Sequence, residues 1–189
     1  MLTHKGTSII ETSRLILRRA VREDVLLMFH NWASDSEVTK YLSWPTHSHT
    51  EASQWVIEEW IREYEKEDFY QWMIVLKELG EPVGSISVVS IHDSAEEAEV
   101  GYCIGREWWH RGITSEALAA VIAFLFTQVG MTRVSARHDI NNPHSGGVMK
   151  KCGMIYQGMK PKSDRNNQGV CDTAHYAIDR STWYGKDRK

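Results

Sequence analysis

A chain of 189 residues, 42% hydrophobic and 25% charged, has the composition of a globular protein and the size of a single domain, which we expect over residues 1–189. Its net charge of −3 is not the basic footprint of a nucleic-acid binder, and no apolar run is long enough to span a membrane. The three cysteines are scattered and form no Cys-x-x-Cys pair, which predicts free thiols, no zinc site and a cytoplasmic location.

The first third of the chain predicts a short strand, a capped helix and a long amphipathic helix. The strand covers residues 14–18, and Asp24 is placed to cap the helix that follows it. A loop around Pro45 leads to the second helix, which runs from about Thr50 to Lys66. We expect the buried face of the second helix to carry Ala52, Trp55, Val56, Trp60 and Tyr64.

Two strands with a turn between them come next. Residues 70–76 and 83–91 are rich in apolar and β-branched side chains, and a turn with glycine and proline joins them. We therefore expect an antiparallel hairpin. The apolar phase shifts at Val88 and Val89, which indicates a β-bulge.

A basic turn between a strand and a helix is the central feature of the sequence. Residues 99–104 predict the strand, and the apolar run 117–129 predicts the helix. Gly112 lets the backbone turn tightly and lets a ligand approach closely. Because the first amides of a helix lack partners within it, we predict that this turn holds the pyrophosphate of a coenzyme. The polar residues expected around it are Arg106, His110, Arg111, Thr114, Ser115 and Glu116.

An ordinary strand–helix loop with solvated arginines is the competing interpretation, because one glycine in such a turn is a weak signal. The known phosphate loops do not apply. The chain contains neither Gly-x-x-x-x-Gly-Lys-Ser/Thr nor Gly-x-Gly-x-x-Gly after a strand.

The last third of the chain predicts three strands and a short helix. Residues 132–139 alternate as a strand, and Asn142 is placed as the N-cap of a helix whose first residue is proline. Strands at 154–159 and 174–179 flank a polar loop, 161–169, that we expect to be mobile. The whole pattern predicts a mixed α/β domain with a ligand outside the carboxyl ends of a parallel strand pair.

Several short segments occur in an order that is more specific than any of them alone. They are residues 11–18 (Glu-Thr-Ser-Arg-Leu-Ile-Leu-Arg), 44–45 (Trp-Pro), 98–102 (Ala-Glu-Val-Gly-Tyr), 109–114 (Trp-His-Arg-Gly-Ile-Thr), 142–145 (Asn-Pro-His-Ser) and 151–154 (Lys-Cys-Gly-Met). Together they resemble the GNAT superfamily of acyl-CoA-dependent N-acyltransferases, and more narrowly its RimJ/RimL-like branch, over essentially the whole chain. Residues 109–114 fall on that family's coenzyme loop, usually Gln/Arg-x-x-Gly-x-Gly/Ala. Trp109 stands at the Gln/Arg position and Thr114 at the position of the small residue.

The resemblance implies a GNAT-like central mixed, mostly antiparallel sheet with helices on both faces. It also implies acetyl-CoA as co-substrate, no metal, and a pantetheine arm that pairs along the strand at 99–106. Backbone amides near residues 102–104 would then face the thioester carbonyl as oxyanion donors. The implied coenzyme-binding residues are Tyr102, Cys103, Ile104, Trp109, His110, Arg111, Gly112, Ile113, Thr114, Ser115, Asn142 and Ser145.

Three residues are the implied catalytic groups: Glu99, Asn142 and Ser145. Glu99 is the first candidate for the base that deprotonates the amine, and a solvated carboxylate at a strand end is the alternative. His138 is the second candidate base, although its alternation with apolar residues favours a core histidine. Ser145 is placed to protonate or hydrogen-bond the departing thiolate. The structural alternatives for Ser145 and Asn142 are a helix-start hydroxyl and an N-cap.

Aromatic residues are the candidates for the acceptor site. Trp44, in its proline-containing loop, is favoured as an acceptor wall, together with Tyr41 and Tyr70. For Trp32 and Trp55, a place in the core is favoured.

The leading function is acetyl-CoA-dependent N-acetylation of a primary amine by direct attack on the thioester. The amine could belong to a protein N-terminus or to a small molecule such as a polyamine, an amino acid or an amine antibiotic. The alternative is a non-catalytic acyl-CoA-binding regulatory module on the same fold, because a fold does not determine function. A homodimer is compatible with the sequence.

Overall fold

Eight strands form one sheet in the computed structural model, which describes residues 2–186. In chain order they are β1 Ile10–Glu11, β2 Leu15–Arg18, β3 Gln71–Leu76, β4 Glu81–His92, β5 Glu97–Ile104, β6 Arg133–Asp139, β7 Ile155–Asn166 and β8 Gly169–Asp179. Their order across the sheet is β1-β2-β3-β4-β5-β6-β8-β7. Among the described strands, all neighbours are antiparallel except β5 and β6.

Helices cover both faces of this sheet. The described α-helices are α1 Asp24–Met28, α2 Ser36–Thr39, α3 Thr50–Glu63, α4 Ile113–Phe124, α5 Pro143–Lys151 and α6 Arg180–Lys186, and π-helical segments at Phe29–Ala33 and Leu125–Val129 continue α1 and α4. Because successive side chains of a strand point to opposite faces of the sheet, the buried strand β3 contributes to the core on both faces. Trp72 and Ile74 pack in the core under α4, while Met73 and Val75 pack in the core under α1 and α3. The predicted mixed, mostly antiparallel sheet with helices on both faces is confirmed.

The parallel pair β5–β6 opens along its length. The two strands pair only over their first three residues, from Glu97 with Arg133 to Glu99 with Ser135. Beyond this point β5 continues to Ile104 and β6 to Asp139 without further pairing to each other. The carboxyl ends of the two strands therefore leave a gap in the sheet, where the predicted ligand was expected.

Local predictions in the first half are largely confirmed. β3 and β4 form the predicted hairpin, and the register between β4 and β5 shifts between Val88 and Ser90, at the predicted bulge. Asp24, however, does not cap α1. Its carboxylate accepts two hydrogen bonds from Arg18, at 2.7 and 2.8 Å, and one from the backbone of Val21. It is almost fully buried, so its role is to tie β2 to the start of α1.

Three of the five residues predicted for the buried face of the long helix α3 pack in or against the core, namely Val56, Trp60 and, at the helix end, Tyr64, but Trp55 does not. Ser53 and Ile57 are fully buried, whereas Trp55 is 65% exposed. Apolar residues stand on several sides of this helix, so their spacing does not select one face. Packing against α1 and the sheet decides it.

The polar segment 161–169, predicted as a mobile loop, is mostly strand. β7 and β8 form a long hairpin whose turn lies at residues 167–168. The turn docks on the loop before α3, because the Asn167 side chain donates to the carbonyls of Thr39 and Trp44, both at 2.8 Å. The polar sequence of segment 161–169 fits an edge strand, whose outer surface faces water.

Candidate active site

Two cavities meet at the gap between β5 and β6. The turn cavity, of about 410 Å³, lies between the end of β5, the loop at 108–112 and the first turns of α4 and α5. The hairpin cavity, of about 480 Å³, lies between α3, the loop at 41–44, the ends of β5 and β6, and the β7–β8 hairpin. Six residues line both cavities: Tyr41, Leu42, Tyr102, Cys103, Asn142 and Ser145. A molecule held in one cavity can therefore reach a molecule held in the other.

The start of α4 makes one wall of the turn cavity. Gly112 immediately precedes the helix with a φ of 74°, the left-handed conformation that glycine adopts without strain. A Cβ atom built on Gly112 would lie 3.3 Å from Nζ of Lys151 and 3.7 Å from Nη2 of Arg14. The bare glycine thus lies beneath two cationic groups and beside the free amides of the first helical turn. This combination is suited to phosphate.

The edge of β5 makes the opposite wall. The backbone N–H of Gly105 donates to the carbonyl of Val83 at 2.8 Å, and hydrogen-bonded pairs alternate along an antiparallel ladder. The N–H and C=O groups of Tyr102 and Ile104 therefore point away from β4, where the carbonyl of Ile104 accepts a hydrogen bond from the indole of Trp109 at 2.9 Å. The backbone of Cys103 points towards β4 instead, which corrects the expectation that all three amides face the thioester.

The predicted coenzyme residues converge on the turn cavity, with one exception. All of them line it except Arg111, whose carbonyl accepts a hydrogen bond from Arg14 at 3.0 Å. Arg106 is also directed elsewhere and pairs with Asp35 at 3.0 Å. Lys151, in the last turn of α5, lines the cavity and was missed, because its approach to Gly112 depends on how α5 packs beside α4.

Glu116 anchors the first turn of α4 to the β1–β2 turn. Its carboxylate accepts hydrogen bonds from the hydroxyls of Thr12 and Ser13, at 2.6 and 3.1 Å. It also accepts from the backbone and the guanidinium of Arg14, at 3.0 and 2.6 Å. Burial alone would raise the pKa of Glu116, but these hydrogen bonds outweigh it and lower the pKa to about 2.

We expect Glu116→Gln to lower the free energy of unfolding by about 2 kcal/mol at pH 7, because hydrogen bonds to a charged group are lost. Because the pKa of Glu116 is lower in the folded state, its carboxylate stabilises the protein at pH values above its ordinary pKa of 4.5. This stabilisation is lost as the pH falls towards about 2. Denaturant unfolding of both proteins between pH 7 and pH 3 should show that the difference between their free energies of unfolding becomes smaller as the pH falls. Glu107 is exposed, so Glu107→Gln is the matched control and should unfold with the same free energy as the wild type.

A tyrosine and a serine meet where the two cavities join. The hydroxyl of Tyr102 donates to the carbonyl of Ser145 at 2.9 Å, and the hydroxyl of Ser145 donates to that of Tyr102 at 3.2 Å. Asn142 stands at the N-cap position of α5, but its side chain makes no capping hydrogen bond. The expected capping role of its side chain is therefore not seen, and the side chain lines both cavities.

Charged side chains line the floor of the hairpin cavity. Glu99 pairs with Arg137, which also donates to Asp164 at 2.8 Å. Asp139 is buried there and accepts hydrogen bonds from Asn141 and from Asn166. Together with Glu59, these carboxylates outnumber the guanidinium groups of the cavity, so its field favours a cation.

The ring of His138, the second candidate base, packs against neighbouring residues. Its Nδ1 lies 2.7 Å from the carbonyl of Asp139, and its Nε2 is buried without a hydrogen-bond partner. A Cβ built on Gly146 would lie 2.5 Å from that Nε2, so the ring packs directly on the start of α5. This arrangement fits a packing role better than that of a base.

Aromatic side chains form the rim of the hairpin cavity. Tyr41 and Trp44 line it as predicted, and Trp55 and Trp60 line it as well. Tyr70 does not, because it is 1% exposed and its hydroxyl lies 2.9 Å from Nδ1 of His4 in the core. We therefore do not retain Tyr70 as an acceptor contact.

The family of the chain follows from its match to a known domain. The profile of the acetyltransferase (GNAT) domain matches residues 14–155. The chain belongs to the GNAT acetyltransferase family. Members of this family carry out acetyl transfer that depends on acetyl-CoA, so the predicted enzyme class is confirmed and the non-catalytic alternative is not adopted.

Relatives of this GNAT acetyltransferase agree with the match. An uncharacterized N-acetyltransferase, YoaA, of Bacillus subtilis is 28% identical over 90% of this chain and 96% of its own length. The ribosomal-protein-serine acetyltransferase of Escherichia coli is 28% identical over 57% of this chain and 60% of its own length. The microcin C7 self-immunity acetyltransferase MccE, solved in complex with acetyl-CoA and AMP, shares the fold at a TM-score of 0.78 with 20% identity. That superposition covers 89% of this chain and 93% of the solved chain.

The described residues of this acetyltransferase also bear on membranes and metals. Within residues 2–186, no helix is long and apolar enough to cross a bilayer. In the same range, no three His, Cys, Asp or Glu side chains cluster as metal ligands.

Proposed function

We propose that this acetyltransferase moves the acetyl group of acetyl-CoA to the α-amine of a peptide N-terminus. The observation that carries the proposal is the junction of the two cavities. A thioester held in the turn cavity would face an amine held in the hairpin cavity across Tyr102, Asn142 and Ser145. Holding two reactants in this way can account for about 7–11 kcal/mol of the barrier in well-oriented cases.

The residues of the turn cavity fit acetyl-CoA. The free amides at the start of α4 and the ammonium of Lys151 would hold the pyrophosphate over Gly112. The open edge of β5 offers the backbone of Tyr102 and the N–H of Ile104 to the pantetheine arm. A backbone N–H on this edge would stabilise negative charge on the carbonyl oxygen during transfer.

The residues of the hairpin cavity would prepare the amine. Its carboxylates attract the ammonium form, and Glu99 accepts the proton, directly or through water. The amine nitrogen then bonds to the carbonyl carbon and releases its second proton to water, and the carbon–sulfur bond breaks. Ser145 donates a hydrogen bond to the departing sulfur, which finally takes a proton from solvent.

The peptide acceptor is favoured by the names of relatives, one of which is a ribosomal-protein-serine acetyltransferase. A small-molecule amine is the second candidate, because the Asn167 turn docks on the loop at 39–44 and partly closes the hairpin cavity. Thiol release from acetyl-CoA should be measured with an N-terminal serine hexapeptide and with spermidine, lysine and kanamycin. Faster release with the peptide supports the first candidate. Release with only the small amines contradicts it.

Ser145→Ala tests the proposed contact with sulfur. We expect turnover to fall about tenfold while acetyl-CoA binds as before, because the hydrogen bond strengthens only as charge develops on sulfur. Calorimetry with acetyl-CoA and a thiol-release assay measure the two quantities. If Ser145→Ala lowers the melting temperature but turns over normally at low temperature, the serine has a structural role only.

A further inference from the structure

The side chain of Tyr102 lies beside Ser145 at the junction of the two cavities. It lies on β5 with its hydroxyl 2.9 Å from the carbonyl oxygen of Ser145 and 3.2 Å from the Ser145 hydroxyl. It also lines both cavities at their junction. The one phenolic proton thus has two acceptors within reach, both on the residue that is proposed to contact sulfur.

The two hydroxyls can exchange hydrogen bonds without moving apart. In the structure, Tyr102 donates to the carbonyl of Ser145, and the Ser145 hydroxyl donates to Tyr102. If the Ser145 hydrogen turns towards sulfur, its oxygen becomes free to accept, and the Tyr102 proton can turn to it. A donor that is itself hydrogen-bonded in this direction is polarised and donates more strongly.

We propose that Tyr102 is a positioning residue that holds Ser145 through its carbonyl and then polarises the Ser145 hydroxyl towards the departing sulfur. This role rests on the proposed function, in which Ser145 contacts sulfur. Hydrogen bonds are exchanged, no covalent bond forms or breaks at either hydroxyl, and both residues keep their protons.

Retention of the phenolic proton follows from the surroundings of Tyr102. Burial raises the pKa of Tyr102 above its ordinary value, and the hydrogen bond with Ser145 offsets this only in part. Transfer of its proton to a thiolate is therefore unfavourable. Tyr102 is suited to donating a hydrogen bond and unsuited to acting as the acid.

A double-mutant cycle with acetyl-CoA and the best acceptor of the peptide and amine panel tests this role. Tyr102→Phe should lower kcat about tenfold with the KM for acetyl-CoA changed less than about twofold. Tyr102→Phe in the Ser145→Ala background should cost nothing more, because the two residues act as a unit. Tyr64→Phe removes another buried hydroxyl, on a residue that lines neither cavity, and should leave kcat unchanged.

The outcomes separate this inference from the proposed function. The role of Tyr102 alone is overturned if the wild type is active and Tyr102→Phe leaves kcat unchanged. It is also overturned if the losses of the two single variants add fully in the double variant. A wild type that releases no thiol with any of these amines overturns the proposed function and this role with it. If Tyr102→Phe does not fold, 3-fluorotyrosine at position 102 replaces it. This more acidic phenol should leave the alkaline side of the pH–rate profile unmoved, and a shift there would show that Tyr102 is an acid.

Discussion

Gly112→Trp is expected to weaken the binding of CoA by about 100-fold, or about 2.8 kcal/mol. The indole would fill the space beneath Lys151 and Arg14, where a Cβ alone already lies 3.3 and 3.7 Å from their nitrogen atoms. It would also cover the amides at the start of α4. Calorimetric titration with CoA measures the loss.

Backbone strain must be separated from this blocking effect, because any side chain at a φ of 74° is strained. Gly80 provides the matched control. It has a φ of 72°, and a Cβ there would contact nothing within 4 Å. Gly80→Trp should therefore cost similar stability and leave CoA binding intact. Equal CoA affinity in the wild type and in Gly112→Trp would contradict the assignment of the pyrophosphate site.

Glu99→Gln is expected to lower turnover by about 100-fold while the affinity for acetyl-CoA changes little, because a general base contributes to the chemical step. The wild-type rate should rise only weakly with pH across the ordinary α-amine pKa of about 7.7–8.0, because Glu99 deprotonates the ammonium after it binds. In the variant, the residual rate should depend more steeply on pH, since only amine already deprotonated in solution can react. Steady-state kinetics from pH 6 to pH 9 measure both effects.

Glu97 supplies the control for the ion pair that Glu99→Gln disturbs. It lies on the same face of β5, accepts a hydrogen bond from Ser135 at 2.6 Å and pairs with Arg133, but it lines neither cavity. Glu97→Gln should keep full turnover. If Glu99→Gln keeps full turnover as well, Glu99 serves only to hold Arg137, and His138 becomes the next residue to test.

The elements that were predicted well depend on neighbours close in the chain. The β3–β4 hairpin follows from alternating apolar residues around one turn, and the bulge near Val89 follows from a break in that alternation. The turn at Gly112 follows from the strand and helix on either side of it. In each case the physical cause is local, so the pattern of a few residues is enough.

The coenzyme residues were found mainly by resemblance, since a single glycine in a basic turn does not distinguish a phosphate site from an ordinary loop. The geometry then refined this set. It directs the backbone of Cys103 to β4, leaves Arg111 outside the turn cavity and brings Lys151 into it. These differences depend on hydrogen-bond register and on helix packing, which residue types alone do not specify.

The acceptor side was decided by tertiary structure to a larger extent. Tyr70 is aromatic like Trp44, yet it is buried in the core, while Trp44 stays at the cavity because Asn167 holds its carbonyl from 123 residues away. The polar residues of the β7–β8 hairpin are typical of a loop in the sequence, but in the structure they pair as strands at the edge of the sheet. The sequence by itself determined the strand–turn–helix unit and the chemical groups around it, because those depend on local periodicity and backbone preference. Only the tertiary structure decided which aromatic and charged side chains share the hairpin cavity, because their contacts join segments that are distant along the chain.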